Sequence, residues 1–184
     1  MPRDDAEAVK WFRKAAEQGN EDGQVGLGMM YTLGQGVPRD DAEAVKWFRK
    51  AAEKGNQEGQ FKLGMMYWQG QGVPRDDAEA VKWFRKAAEQ GNKEGQSMLG
   101  TMYFKGTGVP RDDAEAEKWT SKAAEQGQKY AQRHLGLMYQ VGLGVPRNFI
   151  AAYTWYSLSA ASGDEEARTL LDALRELNKP GAKS

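Results

Sequence analysis

Residues 27–55 have the sequence LGMMYTLGQGVPRDDAEAVKWFRKAAEKG, and most of this segment recurs along the chain at a fixed interval. Five of the six prolines lie at positions 2, 38, 74, 110 and 146, and five of the six tryptophans lie at positions 11, 47, 83, 119 and 155, so both sets step by 36 residues. The block PRDDAEAVKWFRKAAE occurs unchanged at 2–17, 38–53 and 74–89, and altered copies lie at 110–125 and 146–161. The chain is therefore a tandem array of one supersecondary unit.

Each unit is predicted to contain two helices. In the first, which we call helix B, Asp40 and Glu43 have the spacing of a capping box. Val45 and Phe48 then mark an apolar face at helical spacing. Gly55 follows, in the position where a helix ends on a left-handed residue.

The second helix, which we call helix A, carries the motif LGxMY. Asn56 is expected to cap it, and it is predicted to run from about Gln57 to Gln69. The turn Gly70-Gln71-Gly72-Val73-Pro74 leads to the next helix B. We expect one repeat domain over 1–184, with a half repeat at 1–19, repeats at about 20–55, 56–91, 92–127 and 128–163, and a C-terminal capping helix at about 164–178.

Glycine lies inside helix A at Gly28, Gly64, Gly100 and Gly136, where it lowers helix propensity by about 1 kcal/mol. Close approach of a neighbouring helix explains such a glycine best. The terminal helix carries Asp172 in the same register. Because no later helix has to pack there, we expect this segment to be a cap with a polar outer face.

Composition excludes several classes of function. Lys plus Arg and Asp plus Glu are 26 each, so the net charge is zero, which argues against nucleic acid as a partner. There is no cysteine and only one histidine, and no residue set resembles a nucleophile with its base. We expect no enzymatic activity, no catalytic residues, no metal and no cofactor.

No apolar stretch is long enough for membrane insertion or for a signal peptide, so we expect a cytoplasmic protein, or a periplasmic one if a leader was trimmed.

The 36-residue unit resembles the Sel-one-like repeat (SLR) family, a relative of the tetratricopeptide repeats. The resemblance covers essentially the whole chain and rests on Leu27-Gly28-Met29-Met30-Tyr31, Gly34, Gly36-Val37-Pro38, Asp40, Ala42-Glu43-Ala44, Trp47, Lys50-Ala51-Ala52 and Gly55. It implies an all-α fold, a right-handed α/α superhelical solenoid with helix A on the concave side and helix B on the convex side. It also implies an adaptor or protein-binding scaffold of a largely bacterial family.

Two departures from the family pattern stand out. The family commonly has alanine near the start of helix A, where this chain has Gly23, Gly59 and Gly95. Alanine occupies this position only at Ala131 and Ala167. We expect Gly59→Ala to stabilise the protein by roughly 0.5–1 kcal/mol if the site has normal helical dihedrals. Some disulfide-rich members are linked to β-lactams, and the absence of cysteine removes support for that activity here.

The function is expected to lie where the repeats differ. Helix B is identical in its first three copies, whereas helix A varies along one continuous face. On that face we predict a partner-binding site, because large apolar side chains anchor protein partners and polar ones add specificity. Its residues are Phe61, Met65, Trp68, Met98, Thr101, Phe104, Arg133 and His134. The alternative is that Phe61, Met65 and Met98 belong to the core between repeats.

The sequence therefore predicts a non-enzymatic scaffold that binds a peptide or protein segment on the concave helix A surface. Two alternatives stay open: a structural or consensus-type engineered solenoid without a specific ligand, and a bacterial immunity or regulatory protein that masks a partner.

The chain starts with a helix B whose Val9, Trp11 and Phe12 have only one flank covered. We expect either a fragment of a longer protein or an open edge available for self-association.

Overall fold

The computed structural model describes residues 4–177, and within them it contains ten α-helices and no strand. The helices are α1 (Asp5–Glu17), α2 (Glu21–Leu33), α3 (Asp41–Glu53), α4 (Gln57–Gln69), α5 (Asp77–Glu89), α6 (Lys93–Lys105), α7 (Asp113–Glu125), α8 (Lys129–Val141), α9 (Phe149–Ala161) and α10 (Glu165–Leu177). Odd-numbered helices are of type B and even-numbered helices are of type A. The predicted range of helix A, from Gln57 to Gln69, is confirmed.

Local signals in the sequence set the ends of these helices. The Asp40 carboxylate accepts a hydrogen bond from the Glu43 backbone N–H at 2.9 Å, which confirms the predicted N-cap. The Glu43 carboxylate does not complete a capping box, because it pairs with Lys46. Asn56 caps the next helix by accepting from the Gly59 N–H at 2.8 Å. Gly55 has φ +101°, the left-handed conformation expected of a helix terminator.

The turn after helix A also depends on glycine. Gly34 and Gly36 have φ of +66° and +69°, which side-chain-bearing residues rarely adopt. A Cβ built at Gly36 would lie 2.2 Å from the backbone oxygen of Asp5. The turn therefore lies directly on the start of the preceding helix B, and it fixes the distance between consecutive B helices.

The chain forms two compact units, residues 1–95 and residues 96–184. In the first unit, α1 to α5 pack on one another in chain order. A Cβ at Gly28 would lie 2.6 Å from the ring of Phe48, and one at Gly64 would lie 2.8 Å from the ring of Phe84. The expected close approach at these glycines is confirmed, and the approaching group is an aromatic side chain of the following helix B.

The second unit repeats this packing and ends in the C-terminal helix. The Tyr156 ring of α9 lies against Gly136, where a Cβ would be 2.7 Å away. In α10, Ala167, Leu171 and Leu174 are buried, whereas Asp172 is exposed and binds Arg175 at 3.1 Å. The outer face of α10 is therefore polar at Asp172 and Arg175, and its role as a cap stays a prediction. The predicted end of this helix at 178 lies outside the described residues.

The structure overturns the expectation for Gly59. A Cβ at this position would lie 2.7 Å from the Ala51 Cβ and 3.0 Å from the Ala52 backbone nitrogen. Neither atom belongs to a flexible side chain, so alanine at 59 would force α4 away from α3. Helix propensity favours alanine at this position, but the close contact between the two helices opposes it, so we now expect Gly59→Ala to be destabilising.

Glutamine residues at equivalent positions of helix A, such as Gln60 and Gln96, form hydrogen bonds that link successive repeats. The Nε2 group of Gln60 donates to the Ala52 carbonyl at 3.3 Å, while its Oε1 accepts from Gln90 Nε2, 30 residues later, at 2.7 Å. Gln96 accepts from Gln126 in the same way at 2.8 Å. These bonds satisfy an amide that is buried between two helices.

The bond between two glutamines is missing in repeats where the residue 30 positions after the helix A glutamine is not itself a glutamine. The Oε1 atoms of Gln24 and Gln132 are buried without a hydrogen-bond partner among the described residues. The residues 30 positions later are Lys54 and Ser162. Lys54 instead donates to the Gly19 carbonyl at 2.7 Å. A buried amide oxygen without a donor costs roughly 1–3 kcal/mol, so we expect these two repeats to be less stable than the repeats with the glutamine pair.

We predict that Lys54→Gln raises the free energy of unfolding by about 1 kcal/mol, because the new amide donates to Gln24 Oε1. Urea unfolding followed by circular dichroism measures the change. Gln90→Lys is the matched control, since it makes the opposite change in the next repeat and should lower stability by a similar amount. A Lys54→Gln variant no more stable than the original chain would contradict this account.

Candidate partner-binding site

In the first unit, the variable face of helix A forms an apolar cavity of about 210 Å³. The structure brings Phe61 and Met65 of α4 together there with Met29 and Leu33 of α2. Met29 and Leu33 are 39% and 58% exposed, so the cavity opens to solvent through them. Methionine and aromatic side chains suit an adaptable protein-binding surface.

Phe61 contributes both to this cavity and to the core. Its ring centroid lies 5.9 Å from that of Phe84, in a tilted arrangement, and the Lys62 ammonium lies 5.5 Å from the Phe61 ring centroid. Phe61 and Met65 are half-buried. Phe61 therefore packs against the core residue Phe84 and also lines the cavity.

In the second unit, Thr101, Phe104 and His134 line a smaller cavity of about 40 Å³, together with Thr120 and Leu137. Its origin lies in the altered helix B. Thr120 stands where Phe48 and Phe84 stand in earlier repeats, and a Cβ at Gly100 would meet its hydroxyl oxygen at 2.5 Å. Threonine is much smaller than phenylalanine, so part of the space is left open. The cavity has room for about one water molecule or methyl group.

Burial lowers the pKa of His134 below its ordinary value of 6.5. The positive charges of Arg133 and Lys105 lower this pKa further, while Asp164 acts in the opposite direction. A buried imidazole beside two cations favours its neutral form. His134 therefore supplies one donor and one acceptor at the cavity instead of a positive charge at neutral pH.

Arg133 already has partners within its own unit. Its Nε lies 3.1 Å from the buried Asp164 carboxylate at the start of the C-terminal helix, an ion pair without hydrogen-bond geometry, and its Nη1 pairs with Glu166. A partner's carboxylate would have to compete with these two acidic groups. The guanidinium thus ties α8 to α10, and this long-range link left no signal in the sequence pattern.

Trp68 and Met98 are half-buried and do not line these two cavities. Phe104 is covered on one side by the Arg111 guanidinium, which lies 5.5 Å from the ring centroid. All eight predicted residues are thus partly accessible, and the structure groups two of them in the first unit and three in the second.

The structure adds Met29, Leu33 and Leu137 to this surface. The sequence contained a signal for them, because Met29 and Leu137 occupy the same repeat slot as Met65 and Thr101. Leu137 is 37% exposed, which is unusual for a leucine in the repeat core. The position of a residue within the repeat therefore indicated this surface better than the size of its side chain did.

The described part of the chain also bears on metal binding and on membrane crossing. Among residues 4–177, no group of three His, Asp or Glu side chains is arranged to hold a metal ion. Within the same residues, every helix is too short or too polar to cross a lipid bilayer.

We predict that the imidazole of His134 titrates below pH 6.5. Since the unfolded state then binds more protons than the folded state around that pH, stability should rise with pH up to about 6.5 and level off above it. The chain has a single histidine, so its NMR resonance is unambiguous. His134→Gln should remove the pH dependence of urea unfolding in this window. A pKa at or above 6.5 would show that the imidazole is well solvated.

Comparison with known proteins agrees with this architecture. A protective antigen of uropathogenic Escherichia coli strains that displays an SLR fold is 43% identical over 100% of this chain, with a TM-score of 0.92. A Sel1 repeat protein from Oxalobacter formigenes is 37% identical over 95% of this chain, with a TM-score of 0.87. The chain spans 39% and 50% of the lengths of these two proteins. The likeness confirms the predicted α/α solenoid.

A more distant structure carries a functional description. An immunity protein from Pseudomonas aeruginosa is 25% identical over 91% of this chain and 62% of its own, with a TM-score of 0.60. No curated protein sequence gives a significant match.

The family model of the Sel1 repeat matches residues 1–20, 21–56, 57–92, 93–128 and 129–164. These matches include both helices of each complete repeat, and their 36-residue period agrees with the spacing of the LGxMY motif. Sel1 repeat proteins generally act as non-enzymatic scaffolds for protein interactions. The chain belongs to the Sel1 repeat family.

Proposed function

We propose that the chain binds a segment of a partner protein on the exposed face of its A helices. The observation that carries this proposal is the open apolar cavity of the first unit, formed by Met29, Leu33, Phe61 and Met65. Soluble proteins rarely expose such a group of side chains together unless it contacts a partner. The cavity is large enough for one aromatic or branched aliphatic anchor.

Polar groups at the rim of this cavity suit an extended peptide. Gln69 and Gln71 lie at its edge and provide amide donors and acceptors for a peptide backbone. Lys62 lies there as well, and its ammonium is 3.2 Å from the Glu58 carboxylate. The pair presents both signs of charge, so we expect affinity from the apolar anchor and orientation from the rim.

The second unit is suited to a different contact. Its cavity accepts only a small group, and neutral His134 and Thr120 provide hydrogen-bonding atoms beside Phe104 and Leu137. The cavity of the first unit would therefore take a large apolar side chain, whereas that of the second unit would take a small one. Each unit is thus suited to a different kind of anchor.

A second candidate function is that of an immunity protein, in which binding masks the partner. The observation that favours it is the similarity to the Pseudomonas aeruginosa immunity protein over 91% of this chain. This candidate needs the same surface, but it adds a consequence: the bound partner loses its own activity. A scaffold leaves that activity intact.

The proposal predicts that partner capture depends on the cavity of the first unit. The intact chain and a Phe61→Ser, Met65→Ser variant are used to capture partners from the source cell's lysate, and bound proteins are identified by mass spectrometry. We expect a partner that the intact chain retains and the variant loses by at least tenfold, because two apolar anchors are removed. A third sample, Thr120→Phe, fills the second cavity while every A-helix side chain stays in place.

The matched control is Ala42→Ser, Ala78→Ser, which changes two exposed residues on the B helices. Circular dichroism must first show that all variants are folded. A partner retained equally by the intact chain and the Phe61→Ser, Met65→Ser variant would refute binding at the first cavity. Activity of the purified partner, measured with and without the chain, then separates an immunity protein from a scaffold.

A further inference from the structure

Two accessible methionines line the cavity of the first unit. Met29 of α2 and Met65 of α4 occupy the same position in successive A helices, and both contribute to the cavity wall. Met29 is 39% exposed and Met65 is half-buried, so solvent reaches both side chains. A thioether that solvent reaches is open to oxidation, whereas one inside a packed core is protected.

Each of these methionines is followed directly by a buried one. Met30 and Met66 are 8% and 3% exposed, and both belong to the hydrophobic core of the first unit. Met66 also touches the cavity wall, but its small exposed fraction protects its thioether. The first unit therefore places an accessible thioether beside a protected one in two successive A helices.

The remaining sulfur groups of the chain are poor competitors for an oxidant. The chain contains no cysteine, and thiolates are the most nucleophilic sulfur groups of proteins. Within residues 4–177 four methionines are buried: Met30, Met66, Met102 and Met138. Met98 is half-buried, but it does not line the cavities of either unit described above. Oxidation of the folded residues should therefore fall on Met98 and on the two methionines of the first cavity.

We propose that Met29 and Met65 are sites of oxidation to methionine sulfoxide, and that this modification prevents an apolar anchor from binding in the cavity. The inference rests on the partner site proposed above. It adds a means of regulation to that site, because the state of two side chains then decides whether the cavity is apolar.

Hydrogen peroxide is the oxidant, and the reaction needs no group of the protein besides the thioether. The sulfur attacks one peroxide oxygen, so that an S–O bond forms while the O–O bond breaks. The hydroxide that leaves takes the proton from the transferred OH group and departs as water. The sulfur loses two electrons and the peroxide gains them, which leaves a neutral sulfoxide and one water molecule.

The sulfoxide changes the chemical character of the cavity wall. Its oxygen is a strong hydrogen-bond acceptor, whereas the thioether that it replaces is a weak one. Two donors on this wall are already engaged. The Thr32 hydroxyl donates to the Gly28 carbonyl at 2.9 Å, and the Lys62 ammonium lies 3.2 Å from the Glu58 carboxylate. The new oxygen therefore holds water, and an apolar anchor that displaces this water leaves a buried acceptor unpaired.

The cavity of the second unit is not subject to the same modification. The positions equivalent to Met29 and Met65 hold Thr101 and Leu137 there, and neither side chain contains sulfur. Oxidation therefore affects the first cavity and spares the second. Methionine sulfoxide reductases reverse the change with a dithiol, which becomes a disulfide while the sulfoxide oxygen leaves as water.

Tandem mass spectrometry of the full chain after graded treatment with hydrogen peroxide tests the modification. We expect sulfoxide to form at Met29 roughly tenfold faster than at Met30. The same ratio is expected for Met65 over Met66. Each pair is adjacent in the sequence, so the buried member is a matched control for the accessible one. In concentrated urea the two rates within each pair should converge. Equal rates within the pairs of the folded chain would overturn the proposal.

Binding of Nile red, a neutral apolar dye, tests the consequence for the cavity. Binding at the cavity is the part of the dye signal that Phe61→Ser, Met65→Ser removes. We expect peroxide treatment of the original chain to weaken this part by roughly tenfold, and a sulfoxide reductase with dithiothreitol to restore it. In a Met29→Leu, Met65→Leu variant, the dye affinity after peroxide should stay within about twofold of that variant's own value before peroxide, because leucine takes up no oxygen.

The matched control is Met98→Leu, which removes an accessible thioether outside the cavity. Peroxide should weaken dye binding by this variant as much as it weakens dye binding by the original chain. Cavity binding that survives oxidation of Met29 and Met65 would overturn this inference alone. So would a loss that the Met29→Leu, Met65→Leu variant shares, or a loss that accompanies loss of the helical circular dichroism signal. A Phe61→Ser, Met65→Ser variant that binds as much dye as the original chain would instead refute the partner site, and this inference with it.

Discussion

The contact between a side chain of helix B and a glycine of the preceding helix A sets the spacing of this solenoid. Phe48 lies on Gly28, Phe84 on Gly64 and Tyr156 on Gly136, each within 2.6–2.8 Å of where a Cβ would stand. The glycine lowers helix propensity, but it lets the aromatic ring fill the space between the helices. In the repeat where Thr120 takes the place of the aromatic residue, α7 still approaches α6 closely at Gly100, and a cavity opens beside His134.

This constraint separates two sets of positions in each repeat. The inner side of helix A is committed to glycine, leucine and the bonded glutamines, whereas its outer side is free to vary. Met29, Phe61 and Met65 belong to the outer side, although Phe61 also packs on Phe84. Helix B shows the same separation, with Tyr156 buried in α9 and Ile150 exposed on the same helix. A solenoid can thus change its surfaces without changing its core.

The features predicted correctly from the sequence were those set by neighbouring residues. The Asp40 cap, the Gly55 terminator and the range of α4 depend on contacts within a few positions. The structure reverses the sign expected for Gly59→Ala, because that sign depends on where Ala51 lies in another helix. The Asp164 partner of Arg133 is 31 positions away and follows no repeat rule, so the pattern could not reveal it. The eight predicted site residues remain a proposal, and the structure groups five of them around two cavities.

The most direct test of this account is a double-mutant cycle of unfolding free energy on Gly64 and Phe84. If the ring requires the glycine, Gly64→Ala should lower stability by about 1–3 kcal/mol in the original chain, because it overpacks the contact. The same substitution should cost little, or even stabilise, in a Phe84→Ala background, where helix propensity alone decides. An equal effect of Gly64→Ala in both backgrounds would contradict the account, as would a stabilising effect in the original chain.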